Sequence, residues 1–270
     1  MPRDDTAAGP EGGAFAPEIH IGDCARVMPA LPGPFDLVVT SPPYDAGKAY
    51  EGRRDLAAYT EFARRWMAEI PRLLKPSGSL WLNVGYTKAG PNEALPLSYV
   101  YYGVKPPGLR LVQEIVWHYE GGMSYKKRFT HRTERWMWFA PDPEAAYFDL
   151  DVVRDMSLNR TRDRRNNPLG KNPSDYWYFD RVVGGAGRSA EKTAHPCQFP
   201  ERMVERVLKA CCPPGGAVLD PFAGSGTVGR VASRLGMAST LIEANPAYLG
   251  LPPVDAGALP DTVAFPARAA

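Results

Sequence analysis

A chain of 270 residues is long enough to bury a full core, as one large α/β domain or as one domain carrying an insertion. Its net charge is only +2, so contact with nucleic acid would have to come from local basic clusters rather than from overall charge. Four cysteines, none in C-x-x-C spacing and two adjacent, suit neither a disulfide framework nor a zinc site, and no apolar run has the length of a membrane span. The N-terminus also lacks a signal-like layout, so the expectation is a reduced, cytoplasmic protein with no membrane contact.

Residues 1–17, rich in Gly, Ala, Pro and acidic groups, read as a disordered leader. Phe35 to Val39 is a short apolar run that reads as a buried strand, and it closes on Thr40-Ser41-Pro42-Pro43-Tyr44. Leu56, Tyr59, Phe62, Ala63, Trp66, Ile70 and Leu73 then recur at helical spacing from a cap at Asp55, with Pro71 kinking or tightening the last turn and Lys75 to Gly78 ending it. Ser79 to Val84 completes a parallel strand, helix, strand crossover, and Leu111 to His118 and Arg135 to Ala140 extend the sheet. From Pro141 to Lys192 periodicity fades while Arg, Asn, Gly and aromatic residues accumulate, as in an inserted, specialised subregion. A helix over Pro200 to Cys211, a strand over Ala217 to Leu219, a helix from about Ser225 to Leu235 and a strand over Ala238 to Ile242 make a second crossover. Residues 251–270 form a Pro/Ala/Gly-biased tail that drapes over the surface.

Two motifs carry chemistry, and each closes an apolar strand, at the edge where open α/β sheets bind ligands. In Ser41-Pro42-Pro43-Tyr44 the consecutive prolines stiffen the backbone and remove two N–H donors. The Ser41 hydroxyl and the Pro42 carbonyl can then both accept from an exocyclic amino group, with Tyr44 offering a face to a flat ring. In Asp220-Pro221-Phe222-Ala223-Gly224-Ser225-Gly226-Thr227, Gly224 and Gly226 sit at a strand-to-helix turn that must bend sharply and approach a ligand closely. Glu243 follows the next strand, at about the distance where dinucleotide folds set an acid on ribose hydroxyls. Read alone, Asp23 is a turn residue and His195 a cap at the start of a helix.

With the Ser-Pro-Pro-Tyr motif ahead of the glycine motif, the chain resembles the DNA amino-methyltransferases of the β arrangement over roughly Ile19 to Leu249. The resemblance implies an α/β, Rossmann-like, S-adenosyl-L-methionine (AdoMet)-dependent methyltransferase fold. In it a circularly permuted, seven-stranded mixed sheet carries helices on both faces, with an inserted target-recognition region. The corresponding division is a catalytic half over 18–140, target recognition over 141–192 and an AdoMet-binding half over 193–250. It also implies that Ser41, Pro42, Pro43 and Tyr44 are catalytic and that Asp220 to Thr227 hold the methionine side of AdoMet. Glu243 then takes the ribose, Asp23 and Cys24 meet the adenine, and His195 and Gln198 flank the methionine.

Ser rather than Asp at the first motif position favours cytosine N4 over adenine N6, although either side chain can accept from an amine and adenine stays open. Cytosine C5 chemistry needs a cysteine nucleophile, and the one Pro-Cys pair, Pro196-Cys197, precedes a helix. Basic residues cluster at Lys126, Lys127, Arg128, His131, Arg132 and Arg135, and again at Arg160, Arg162, Arg164, Arg165 and Lys171. The second cluster is interleaved with Asn and followed by Tyr176, Trp177 and Tyr178, suiting phosphate contact plus base readout. The expected partner is double-stranded DNA, with the target base rotated into the site, and the protein a monomer or homodimer with a possible cognate restriction endonuclease. A catalytically silent DNA-binding module and an RNA or small-molecule methyltransferase are the competing readings.

Overall fold

The computed structural model describes residues 15–46, 54–90, 93–121, 124–156, 165, 167–185, 188–251 and 263–264. In chain order its first half holds β1 (Glu18–Ile21), α1 (Cys24–Val27), β2 (Phe35–Thr40), α2 (Leu56–Met67), α3 (Ile70–Leu73) and β3 (Leu74–Val84). These are followed by β4 (Tyr86–Gly90), β5 (Glu93–Pro96), α4 (Leu97–Val104), β6 (Arg110–His118), β7 (Thr133–Ala140) and β8 (Tyr176–Tyr178). Then come α5 (Glu201–Cys211), β9 (Ala217–Asp220), α6 (Thr227–Arg234), β10 (Ala238–Glu243) and β11 (Val263–Ala264).

The large sheet has the order β11-β1-β10-β9-β2-β3-β7-β6-β8. Its centre is parallel, and β2 pairs directly with β9 through Leu37 with Val218 and Val38 with Leu219. Two strands far apart in sequence are therefore neighbours running the same way, and the motifs that follow them leave the sheet at one edge. Side chains alternate across the strands with the period of two that a pleat imposes. Val38, Leu80, Leu82 and Leu219 face a core shared with α1 to α4, whereas Leu37, Val39, Trp81 and Val218 face α5 and α6. Asp36 is a charge inside an otherwise apolar strand, and it is met by Lys75 Nζ at 2.8 Å and by the Ala217 N–H at 2.9 Å. This one carboxylate ties β2 to the starts of β3 and β9, which fixes their register.

The sheet holds nine strands among the described residues rather than the seven the family resemblance implies, because the two-residue β11 and the three-residue β8 add short edges. The helix expected over 56–73 is two helices. α2 stops at Met67, and Pro71 lies in the first turn of α3, where its missing N–H costs nothing, instead of kinking a last turn. Strand β3 already begins at Leu74, through the segment expected to end the helix, with a register shift against β2 between Phe35 and Leu37. Within 141–192, Trp177 is a core residue and not a DNA contact: it is buried, and its ring stacks on Trp81 at 5.9 Å. Tyr176 and Tyr178, pointing the other way, are each 54% exposed. Most of the leader lies outside the described residues; of the tail, Val263 and Ala264 pair antiparallel with β1.

Candidate active site

A buried hydrogen bond joins the two motifs: Thr40 Oγ1 donates to Asp220 Oδ1 at 2.6 Å. The Phe222 N–H donates to the same oxygen at 3.1 Å, so Asp220 organises both turns from behind. Complete burial pushes its carboxyl up to about 7. In front of it lies a cleft of about 970 Å³. Ser41, Pro42, Pro43 and Tyr44 form one wall; Asp23, Cys24, His195, Gln198, Phe222, Ala223, Gly224, Ser225 and Glu243 form the others. The structure thus brings together most of the residues that the motifs single out. Asp220, Gly226 and Thr227 stand outside the lining, as buried supports.

The glycine turn is shaped by contacts that only glycine permits. Gly224 has φ +52°, and a Cβ there would sit 3.1 Å from the His195 ring. Its N–H donates to Glu243 Oε2 at 2.7 Å, and the Asn245 N–H donates to Oε1 at 2.8 Å. Glu243 keeps acceptor capacity beyond these bonds, and burial raises its carboxyl above the usual range. Gly226, at φ +74°, is the N-cap of α6, and the Ser225 and Thr227 hydroxyls pair at 2.8 Å beside it. Asp23 accepts from the Ala25 N–H at 2.9 Å and so caps α1 while lining the cleft. Burial pushes the Cys24 thiol up, which keeps it a neutral wall.

His195 is not a helix cap. The α5 N–H at Glu201 is bound by the Glu191 carboxylate at 2.8 Å, and the His195 ring instead lies against Gly224 and edge-on to Tyr248, 4.7 Å away. Gln198 is buried, its amide donating to Glu191 O at 2.8 Å and accepting from the Thr193 N–H at 3.2 Å. It braces the loop that carries His195.

Beyond Ser41 the cleft adjoins a smaller hollow of about 110 Å³, whose walls include Ser41, Tyr44, Asn83, Trp117, Glu134 and Arg181. The Tyr44 hydroxyl lies 2.9 Å from Glu134 Oε2, 3.0 Å from Asn83 Oδ1 and 3.1 Å from Ser41 Oγ. It has one proton to give, and the carboxylate is the strongest acceptor of the three. Donation to Glu134 leaves Ser41 to donate to Tyr44, so the remaining lone pairs of Ser41 are available to an amine. Burial, with the Glu134 charge second, holds the Tyr44 phenol well above its ordinary range. The ring edge of Tyr44 is seated on Gly85, where a Cβ would come within 2.9 Å. Arg181 Nε is buried and has no hydrogen-bond partner among the described residues.

Asn83, Glu134 and Arg181 were not singled out by the sequence. The available signal was a polar residue at the end of an apolar strand, which describes Asn83 in β3 and Glu134 in β7 as well as Ser41. Of the expected DNA contacts, Lys126 and Arg128 are exposed between β6 and β7, and Arg132 donates to His131 O at 3.1 Å in the same connection. Arg165 and Lys171 are exposed and outside the cleft lining, Lys171 in a backbone bridge with Asp155. Arg160, Arg162 and Arg164 fall outside the described residues.

A protein-family profile described as DNA methylase, of the N6/N4 type, matches residues 35–251. The chain belongs to the N6/N4 DNA methylase family. Its relatives include the type II methyltransferase M.ScaI of Streptomyces caespitosus, 42% identical over 242 residues that cover 86% of this chain and 79% of that one. M.BglII of Bacillus subtilis is 34% identical over 81% of this chain and 62% of its own length. Among solved structures, the cytosine-N4-specific PvuII DNA methyltransferase superposes with a TM-score of 0.68 at 20% identity, covering 87% of this chain and 84% of that one. A putative DNA modification methylase of Thermus thermophilus, solved with S-adenosyl-L-methionine, gives 0.57 at 23% identity, covering 86% and 91%. This N6/N4 methylase is accordingly a DNA methyltransferase with a mixed α/β methyltransferase fold, and enzymes of the family draw their methyl group from AdoMet. Among the described residues no helix is long and apolar enough to cross a membrane.

Proposed function

We propose that the protein transfers a methyl group from AdoMet to the exocyclic N4 of a cytosine turned out of duplex DNA. The observation that carries this reading is the seating of Ser41 where the large cleft meets the small hollow, in front of the Thr40–Asp220 bond. The large cleft fits AdoMet: the backbone is bare at Gly224, Glu243 has acceptor sites for ribose hydroxyls, and Phe222 is an apolar wall beside Asp23. Bound there, AdoMet supplies an electrophilic methyl group.

The work left to the chain is positional and electrostatic. The lone pair of a cytosine amine is shared with the ring, which makes the amine a poor nucleophile. Ser41 Oγ and the Pro42 carbonyl accept its two hydrogens, drawing the nitrogen toward a tetrahedral shape with its lone pair aimed into the cleft. The proton released after transfer can pass from Ser41 through Tyr44 to Glu134, along contacts of 3.1 and 2.9 Å. Cytosine is favoured over adenine by Arg181, which lines the acceptor hollow and whose Nε–H has no hydrogen-bond partner among the described residues. Cytosine brings an O2 carbonyl to accept from it; adenine has no carbonyl at all. The neutral first residue of the motif and the cytosine-N4-specific PvuII structure support the same choice.

Purified protein incubated with duplex DNA and methyl-tritiated AdoMet, followed by digestion to nucleosides, should release label in N4-methyldeoxycytidine. Label in N6-methyldeoxyadenosine would overturn the base assignment, and no label in DNA would overturn the reaction. Ser41→Ala should abolish most transfer while AdoMet still binds.

A further inference from the structure

Residues 124–132 lead into β7 at the sheet edge that carries the catalytic turn, and two positions later Glu134 reaches Tyr44. This segment is footed on the wall of the acceptor hollow. The His131 ring packs 4.1 Å from Tyr86, which follows the Gly85 that seats Tyr44. Tyr125 meets His131 edge-on at 5.6 Å, and the Arg128 guanidinium lies 4.2 Å above the Tyr125 ring. The Tyr125 N–H closes the turn on Thr130 Oγ1 at 3.3 Å. On this braced stalk the next aromatic is turned outward: Phe129 is 98% exposed.

A fully solvated phenyl ring gains nothing from the fold. Its neighbours Lys126, Lys127 and Arg128 are exposed cations, which suits a ring that enters a polyanion while its flanks meet phosphates. We propose that Phe129 is a wedge that enters the base stack of duplex DNA beside the target nucleotide and fills the space that nucleotide vacates. The inference rests on the reading that a base is turned out for methyl transfer. Extrusion sacrifices stacking and pairing, and an apolar ring in the gap restores stacking on the bases left behind. The rigid path from Tyr44 through Gly85, Tyr86 and His131 sets the wedge at a fixed distance from the hollow that receives the base.

The test compares wild type, Phe129→Ala and Phe129→Trp on two duplexes. One carries the sequence that the wild type methylates, found by mapping methylated plasmid DNA; the other is identical but abasic opposite the target. Phe129→Ala should methylate the paired duplex roughly ten- to a hundredfold more slowly and recover most of that loss on the abasic duplex, where there is no pair to break. Phe129→Trp should keep most activity on both. Unchanged melting temperature and AdoMet affinity in both variants should accompany this, since the side chain is almost wholly exposed. An equal loss on the two duplexes, or no loss on either, overturns the wedge. A wild type that methylates no DNA overturns the proposed function itself, and the wedge with it.

Discussion

Tyr44 and Glu134, ninety positions apart, meet in a hydrogen bond of 2.9 Å that joins the Ser41–Tyr44 turn to the start of an antiparallel strand. The bond sets the direction of the Ser41 proton and thereby which lone pairs an amine encounters. Glu134→Gln can turn an N–H₂ toward Tyr44 and reverse that polarity; Tyr44→Phe removes the link. Both should lower the single-turnover rate of methyl transfer, by roughly a hundredfold. AdoMet affinity, measured by calorimetry on the same variants, should not change. Full activity in Glu134→Gln would exclude the carboxylate from the proton path.

Arg181 is proposed to favour cytosine over adenine through one donor. Arg181→Met keeps the length of the side chain without its N–H groups and should reduce turnover on duplex DNA about tenfold or more, in line with the loss of a charge-assisted hydrogen bond. A target base lacking the O2 carbonyl should show the same loss with wild type and no additional loss with the variant. Additive losses would place Arg181 elsewhere in the reaction.

The glycine turn is testable with a matched pair. Gly224→Ala places a methyl 3.1 Å from the His195 ring at φ +52°, and Gly236→Ala places one at φ +69° with no atom within 4 Å. Both should destabilise the fold by about 1–2 kcal/mol through backbone strain. Only Gly224→Ala should also weaken AdoMet binding, read by calorimetric titration.

How much of this was legible beforehand follows from where each signal resides. Both motifs end apolar strands, a local pattern, and most of their residues line the cleft. The period of two and the strands of both crossovers were equally local. Glu134 and Arg181 were not legible, because what makes them neighbours of Ser41 is the antiparallel return of β7 and the later course of the chain. Trp177 misled for a related reason: between two exposed tyrosines in a basic stretch it resembles a base reader, whereas the alternation of a strand turns it inward onto Trp81. Pro71 was seen, but its place at the start of a new helix depends on the break after Met67, which propensity does not mark.

Asp220 gives a signature in stability against pH. Its folded carboxyl titrates at about 7 against an ordinary 3.8, so between those values the native state holds a proton that the unfolded chain has released. Stability should therefore fall as pH rises from about 4 to 7, by at most about 1.4 kcal/mol per pH unit from this group. Glu243 and Glu191, also raised, act with the same sign; Glu201 and Glu205, lowered, act against it. Asp220→Asn keeps an acceptor for Thr40 and should flatten the profile relative to wild type, a difference that thermal melting across pH 4–8 reads directly.

The central claim is that one amine, cradled at Ser41, receives the methyl group. Base-resolved mapping of methylation in the genome of a host without its own DNA methyltransferases, expressing this protein, tests it most directly. N4-methylcytosine should be confined to one short sequence and should disappear with Ser41→Ala. N6-methyladenine at the modified sites, or cytosine methylation that survives Ser41→Ala, would contradict it.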